Sequence, residues 1–167
     1  MGDSIMQRFV DMAAMAEQLE PFVVESNRIE GIADTTEAHI AAHLDFLRGP
    51  VTIANIAALV SVLQPDARLR DKTDVSGVRV GNHIAPPSGP HIAKKLRTII
   101  AMRDPWEQHI AYETLHPFTD GNGRSGRAIW LHRYWHETTL DRGALFRGFL
   151  HSWYYHTLAN VRQEGRG

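Results

Sequence analysis

The sequence contains no cysteine. That absence excludes a disulfide framework, thiol catalysis and any cysteine-ligated metal, and it suits a reducing compartment. An excess of one charge is missing too: 18 Lys and Arg stand against 19 Asp and Glu, for a net charge of −1 and an isoelectric point near 6.8. A chain so balanced has no global attraction for nucleic acid, and no basic face or helix-turn-helix extension is evident. Long apolar runs are also lacking. The most apolar, VTIANIAALVSVL over 51–63, is too short to span a bilayer and carries Thr52, Asn55 and Ser61. The first residues include acids and lack the basic-then-apolar layout of a secretory signal, so a cytoplasmic protein with no membrane partner is expected. Ten histidines are scattered without an HExxH pattern, which predicts mostly surface or half-buried side chains rather than a metal enzyme. With no repeat, linker or low-complexity segment, residues 1–167 are expected to form a single domain.

What is present is mostly helical patterning. Ile5, Phe9, Met12, Ala16 and Leu19 recur at helical spacing over 3–20. Pro21 predicts a break, and VVESNRIEGI a short second helix stopped at Gly31. DTTEAHIAAHLDFLRG begins with Asp34 and Glu37 three apart, which predicts a capping box with Asp34 as the cap and an end at Gly49-Pro50. Residues 52–64 predict another helix, ended by Pro65. From 66 to 90 the pattern breaks. Val78 and Val80 alternate with polar residues, followed by Gly81-Asn82, Ile84 and a proline pair, which predicts a short β-hairpin or flap. Helices are expected again at about 91–102 and 104–115. A further one starts inside 116–127 and carries Ala128, Leu131, His132 and Trp135 on one face, and a last one covers about 143–160. The expected fold class is mainly α, a helical bundle with a short β-hairpin flap. Trp106, Trp130, Trp135 and Trp153 are expected in the core or at its margin.

The chemistry concentrates in HPFTDGNGRSGR, residues 116–127. Its glycines satisfy G-x-G-x-x-G, but DPWEQHIAYETLH before them reads as a helix, not the strand that a dinucleotide fingerprint requires. A different use fits better. A helix starting among glycines presents free N–H groups and a positive dipole end to an anion. Arg124 and Arg127, three apart, can reach the same polyphosphate with planar donors. Asp120 would repel a bare phosphate, a conflict that Mg²⁺ between carboxylate and phosphate removes. His116, with an ordinary pKa of about 6.5, can accept a proton at neutral pH. These parts suit phosphoryl or nucleotidyl transfer to a hydroxyl.

The stretch resembles the signature of the Fic family, His-Pro-Phe-x-Asp/Glu-Gly-Asn-Gly-Arg-x-x-Arg, at every fixed position. The lead-in HIAYETLHPF and the segment VRVGNHIAPPS, within a flap of about 75–90, are similar to Fic sequences as well. The resemblance implies a Fic fold and transfer of AMP from ATP to a Ser, Thr or Tyr hydroxyl of a target protein, with release of pyrophosphate. It implies His116 as general base, Phe118 as the core anchor of the loop and Asp120 as the Mg²⁺ ligand. Gly121, Asn122 and Gly123 would form the anion hole, Arg124 would support the phosphates and Arg127 would pair with the γ-phosphate. The flap around 78–86 would hold the target by strand addition. Self-modification is a further implied possibility.

SNRIEG, within about 22–33, resembles the inhibitory pattern of the same family, Ser/Thr-x-x-x-Glu-Gly/Asn. Ser26 and Glu30 lie four apart, one above the other on a helix, with Gly31 following. The resemblance implies that Glu30 pairs with Arg127 and occupies the place of the γ-phosphate. Three functions stay open at this point: a self-inhibited AMP transferase, a de-AMPylase in which Glu30 orients water, and a weakly active nucleotide-binding regulatory module.

Overall fold

The computed structural model describes residues 2–73 and 77–137; the helix expected at 143–160 and the tail after it lie outside them. The described residues are mainly helical, with one two-stranded antiparallel sheet, as the patterning predicts. Helix α1 spans Gly2–Ile29, and Pro21 lies inside it. The expected break is therefore absent. Pro21 and Glu17, whose carbonyl the proline leaves unpaired, are both on the exposed side, where water can serve that carbonyl. On the other side Leu19, Phe22 and Val23 are wholly buried. Burial of each contributes about 1.5–3 kcal/mol, so three outweigh the roughly 3 kcal/mol that an interior proline costs. The helix ends where Gly31 adopts φ +73°. Ile32 N–H donates to Asn27 O at 3.0 Å and Gly31 N–H to Arg28 O at 2.9 Å, a Schellman motif with Glu30 at the C-cap.

Helix α2 (Glu37–Arg48) is capped by Thr36, not by Asp34. Thr36 Oγ1 accepts from His39 N–H at 3.2 Å, and Thr36 N–H donates to His39 Nδ1 at 3.4 Å. The reciprocal box is present, with His39 in the place where Glu37 was expected to act. Gly49 closes the helix, and Thr52 caps α3 (Ile53–Leu63). Strands β1 (Arg79–Val80) and β2 (His83–Ile84) pair Arg79 with Ile84 and Val80 with His83. Gly81 begins their two-residue turn at φ +57°, the left-handed geometry that glycine supplies without strain. Helices α4 (Pro90–Ile100), α5 (Pro105–Leu115) and α6 (Asn122–Glu137) follow.

Helix α6 lies at the centre, against α1, α2, α3 and α5. Ala128 and Ile129 join a core built from α3, α4 and α5, including Leu59, Leu96 and Leu115. Trp130, Leu131 and Trp135 join a second core with Leu19, Phe22 and Val23 of α1 and Leu44 and Leu47 of α2. The one-faced pattern expected for α6 is thus replaced by burial on two sides. Its histidines cap the neighbouring α2: His132 Nε2 donates to Gly49 O and His136 Nε2 to Leu47 O, both at 2.7 Å.

Candidate active site

Helix α5 stops at Leu115, and His116 takes a left-handed backbone, φ 47° and ψ 64°. It is the one non-glycine residue with positive φ among the described residues, a conformation that persists only where the surroundings hold it. Several contacts do. His116 N–H donates to Tyr112 O at 2.9 Å, and its Nδ1 lies 2.6 Å from Glu113 O. A carbonyl only accepts, so Nδ1 carries the proton and the neutral ring keeps its basic lone pair on Nε2. Arg70, with no exposed surface, donates from Nε to His116 O at 2.7 Å and from Nη2 to Leu115 O at 2.8 Å. Its Nη1 reaches Pro86 O at 2.8 Å and Ser88 Oγ at 3.1 Å. Burial lowers the pKa of Arg70 from the usual arginine value, but the carbonyl end of α5 complements the positive charge. Residues 68–70 run beside 117–119 through the Leu69–Phe118 bridge, and Phe118 is buried in the first core. From the hairpin, His83 donates Nε2–H to Thr114 O at 2.8 Å, and its ring lies 6.4 Å from that of His116.

The loop after His116 is braced by Asn122, whose Oδ1 accepts from Phe118 N–H and whose Nδ2 donates to Phe118 O, both at 2.9 Å. Gly121 has φ +75°. The first backbone bond of α6 runs from Ser125 N–H to Gly121 O at 3.1 Å. The amides of Asn122, Gly123 and Arg124 therefore lie ahead of the helical ladder, as donors for an anion. Tyr112 OH donates to Ser125 Oγ at 2.7 Å, and that hydroxyl donates to Gly121 O at 2.8 Å. Burial raises the Tyr112 pKa well above the tyrosine range and keeps the donor protonated.

Both arginines of the motif turn toward the end of α1. Arg127 Nε donates to Ser26 Oγ at 2.9 Å, while its Nη2 donates to Ser26 O at 3.0 Å and to Glu30 Oε1 at 2.7 Å. The ion pair is lopsided: the Arg127 side chain is 2% exposed and that of Glu30 39%. The Glu30 carboxylate sits directly over Gly123, in the space a Cβ there would enter. Arg124 is buried, yet among the described residues its hydrogen bonds go only to amide oxygens, Asn27 Oδ1 at 3.4 Å and Gln64 Oε1 at 3.1 Å. Its buried Nε–H donates no hydrogen bond among the described residues. Burial lowers the Arg124 pKa, Glu30 and Asp120 act the other way, and Arg127 adds to the lowering. A guanidinium in this state suits an incoming oxyanion.

Asp120 is exposed, and its Oδ1 accepts from Gly121 N–H at 2.6 Å. Among the described residues no cluster of three or more His, Asp or Glu could hold a metal by itself. A lone carboxylate beside a phosphate site still fits Mg²⁺, which typically takes one or two carboxylates and completes its shell with phosphate and water. Among the described residues, no helix is long and apolar enough to cross a membrane.

The structure thus brings Ser26 and Glu30 onto Arg127, and places His116, Asp120 and residues 121–124 along one helix-to-helix corner. Four participants escape the sequence reading. Asn27 carried a signal, since it lies three before Glu30 and shares its helix face. Gln64, Arg70 and His83 carried none, because their partners lie 60, 16–46 and 31 residues away. No family model and no curated protein matches the chain.

Proposed function

We propose that the chain is a protein adenylyltransferase of the Fic type, acting in the cytoplasm and held off by Glu30. The observation that carries this reading is the Glu30 carboxylate standing on Gly123 while bonded to Arg127. An acidic group placed where the phosphate-binding glycine and arginine meet mimics, and competes with, a terminal phosphate. In the reaction the hydroxyl oxygen of a target residue attacks the α-phosphorus of ATP. The new O–P bond forms as the α–β bridge breaks, and pyrophosphate leaves with the electron pair. The hydroxyl proton passes to His116 Nε2. The amides of residues 122–124 and the two arginines hold the charge that develops on the phosphate oxygens. Mg²⁺ at Asp120 would neutralise part of the leaving charge. The hairpin edge at 79–84 presents the target segment by strand pairing.

Replacing Glu30 with Gly is expected to increase incorporation of labelled AMP into the chain itself or into lysate proteins at least tenfold. Adding His116→Ala is expected to abolish it, and labelling that persists in the double variant would exclude His116 as the base. A second reading, de-AMPylation, is favoured by the partial exposure of Glu30, which leaves room for a hydrolytic water beside its carboxylate. On that reading Glu30→Gly loses release of AMP from a modified target instead of gaining transfer.

A further inference from the structure

The contacts around His116 lead away from the phosphate site and into the hairpin. The Arg70 side chain donates four hydrogen bonds, of which two go to the backbone of residues 115 and 116 and two to Pro86 and Ser88. Residues 86 and 88 form the stem through which β2 returns to α4. Arg70 O accepts from Gly89 N–H at 2.9 Å, and Arg70 N–H donates to Pro117 O at 2.8 Å. One buried residue therefore joins the stem of the hairpin to the base on both its main-chain and side-chain atoms. A second link runs above it. His83 from β2 is fastened to the last turn of α5 at Thr114 O and lies against the His116 ring. The left-handed backbone of His116 is not self-supporting, since an L residue there is held only by its surroundings.

We propose that Arg70 and His83 are positioning residues that make the orientation of the His116 ring depend on the seating of the hairpin. Arg70 fixes the backbone of the base from beneath, and His83 limits the ring from the hairpin side. A target segment that pairs with the hairpin then presses on the same two residues that aim the base. Proton acceptance becomes linked to target docking, whereas binding of nucleotide at the arginines does not.

The inference rests on His116 acting as the base, and its test separates the two claims. In the unliganded full-length chain labelled with ¹⁵N-histidine, NMR reports which nitrogen of His116 carries the proton. The wild-type ring is expected to be chiefly Nδ1–H. Arg70→Lys, which keeps the charge but loses the fork, and His83→Ala are each expected to shift that ratio by at least twofold. In the Glu30→Gly background both variants are expected to lower turnover by about 10–100-fold, the scale of a small misplacement of a reacting group. The affinity for Mg-ATP, measured by calorimetry, is expected to change less than twofold. If Arg70→Lys loses its folded spectrum, His83→Ala carries the same measurement. An unchanged His116 tautomer ratio in folded variants overturns the positioning role. Absence of transfer in Glu30→Gly alone, with the tautomer shifts present, overturns the adenylyltransferase reading and leaves the coupling standing.

Discussion

Gly123 and Glu30 occupy each other's space. A Cβ at Gly123 would run into the Glu30 carboxylate and would come within 3.1 Å of Arg127 Nη1. Gly123→Ala is therefore expected to push Glu30 off Arg127 and to cost about 1 kcal/mol, the scale of losing a charged hydrogen bond whose acceptor is partly exposed. In a Glu30→Ala background the carboxylate is gone, and most of that cost is expected to vanish. Urea unfolding of the four proteins gives the coupling, expected to exceed about 0.5 kcal/mol. Equal costs in the two backgrounds would mean that the residues do not compete. At this scale the sequence discloses much. The motif residues stand out by composition, and Ser26 and Glu30 by the resemblance of SNRIEG to an inhibitory pattern. Arg70 does not, because nothing local distinguishes a buried arginine whose side-chain partners lie 16 to 46 residues away.

Elements were legible where their signals are local. Gly49-Pro50 marks a helix end that the structure keeps, and Thr52 as a cap and Pro90 and Pro105 as first helical residues are local start signals of the same kind. Where local signals conflict, tertiary packing decides. The DTTE segment offers several caps, and the choice of Thr36 depends on His39, a partner outside the usual Glu or Gln. The break at Pro21 is overridden by what Phe22 and Val23 bury. The pairing of α5 with α6 has the same character. Gly126 admits Tyr112 and Glu113 so closely that a Cβ would meet the Glu113 carboxylate and lie 3.0 Å from Tyr112 Cδ1. Alanine favours a helix over glycine by about 1 kcal/mol, but overpacking of a buried contact costs about 1–3 kcal/mol. Glu113 is buried and Tyr112 is held by Ser125, so neither can yield freely. Gly126→Ala is expected to lower the unfolding midpoint in urea, and adding Glu113→Ala to recover part of the loss. A midpoint that rises in the single variant would show that helix propensity dominates.

Across the whole molecule, buried histidines set the response to acid. His43 is 1% exposed, and its Nδ1 donates to His39 O at 2.8 Å. Burial pushes its pKa down to about 4, with smaller lowering from His39, Arg124 and Arg127. His39 and His132 are also lowered, in each case chiefly by burial. A histidine depressed in the folded state is protonated more readily when unfolded. Its contribution is complete above the unfolded value of about 6.5 and is lost as pH falls toward the folded one. For His43 the loss between about pH 6.5 and pH 4 is on the order of 3 kcal/mol. Denaturant unfolding at pH 7, 6, 5 and 4 is expected to show stability falling through this window, with a shallower fall for His43→Leu. A flat profile from pH 7 to pH 5 would contradict it. None of this was visible in the sequence, where ten histidines look alike until the bundle buries some of them.

The end of α1 has an electrostatic consequence of its own. Glu30 is the C-cap of that helix, at the terminus where the backbone dipole already gathers negative charge and a carboxylate is repelled. Within its own helix Glu30 is therefore in the wrong place. What reconciles it to that position lies across the molecule, in the Arg127 guanidinium. The Glu30 side chain is thus favourably placed only while it is docked on Arg127, and an anion that takes Arg127 would leave it facing the negative end of its own helix. If the proposed inhibition holds, no separate release device is required, because an anion that takes Arg127 removes the hydrogen-bonded partner of the Glu30 carboxylate.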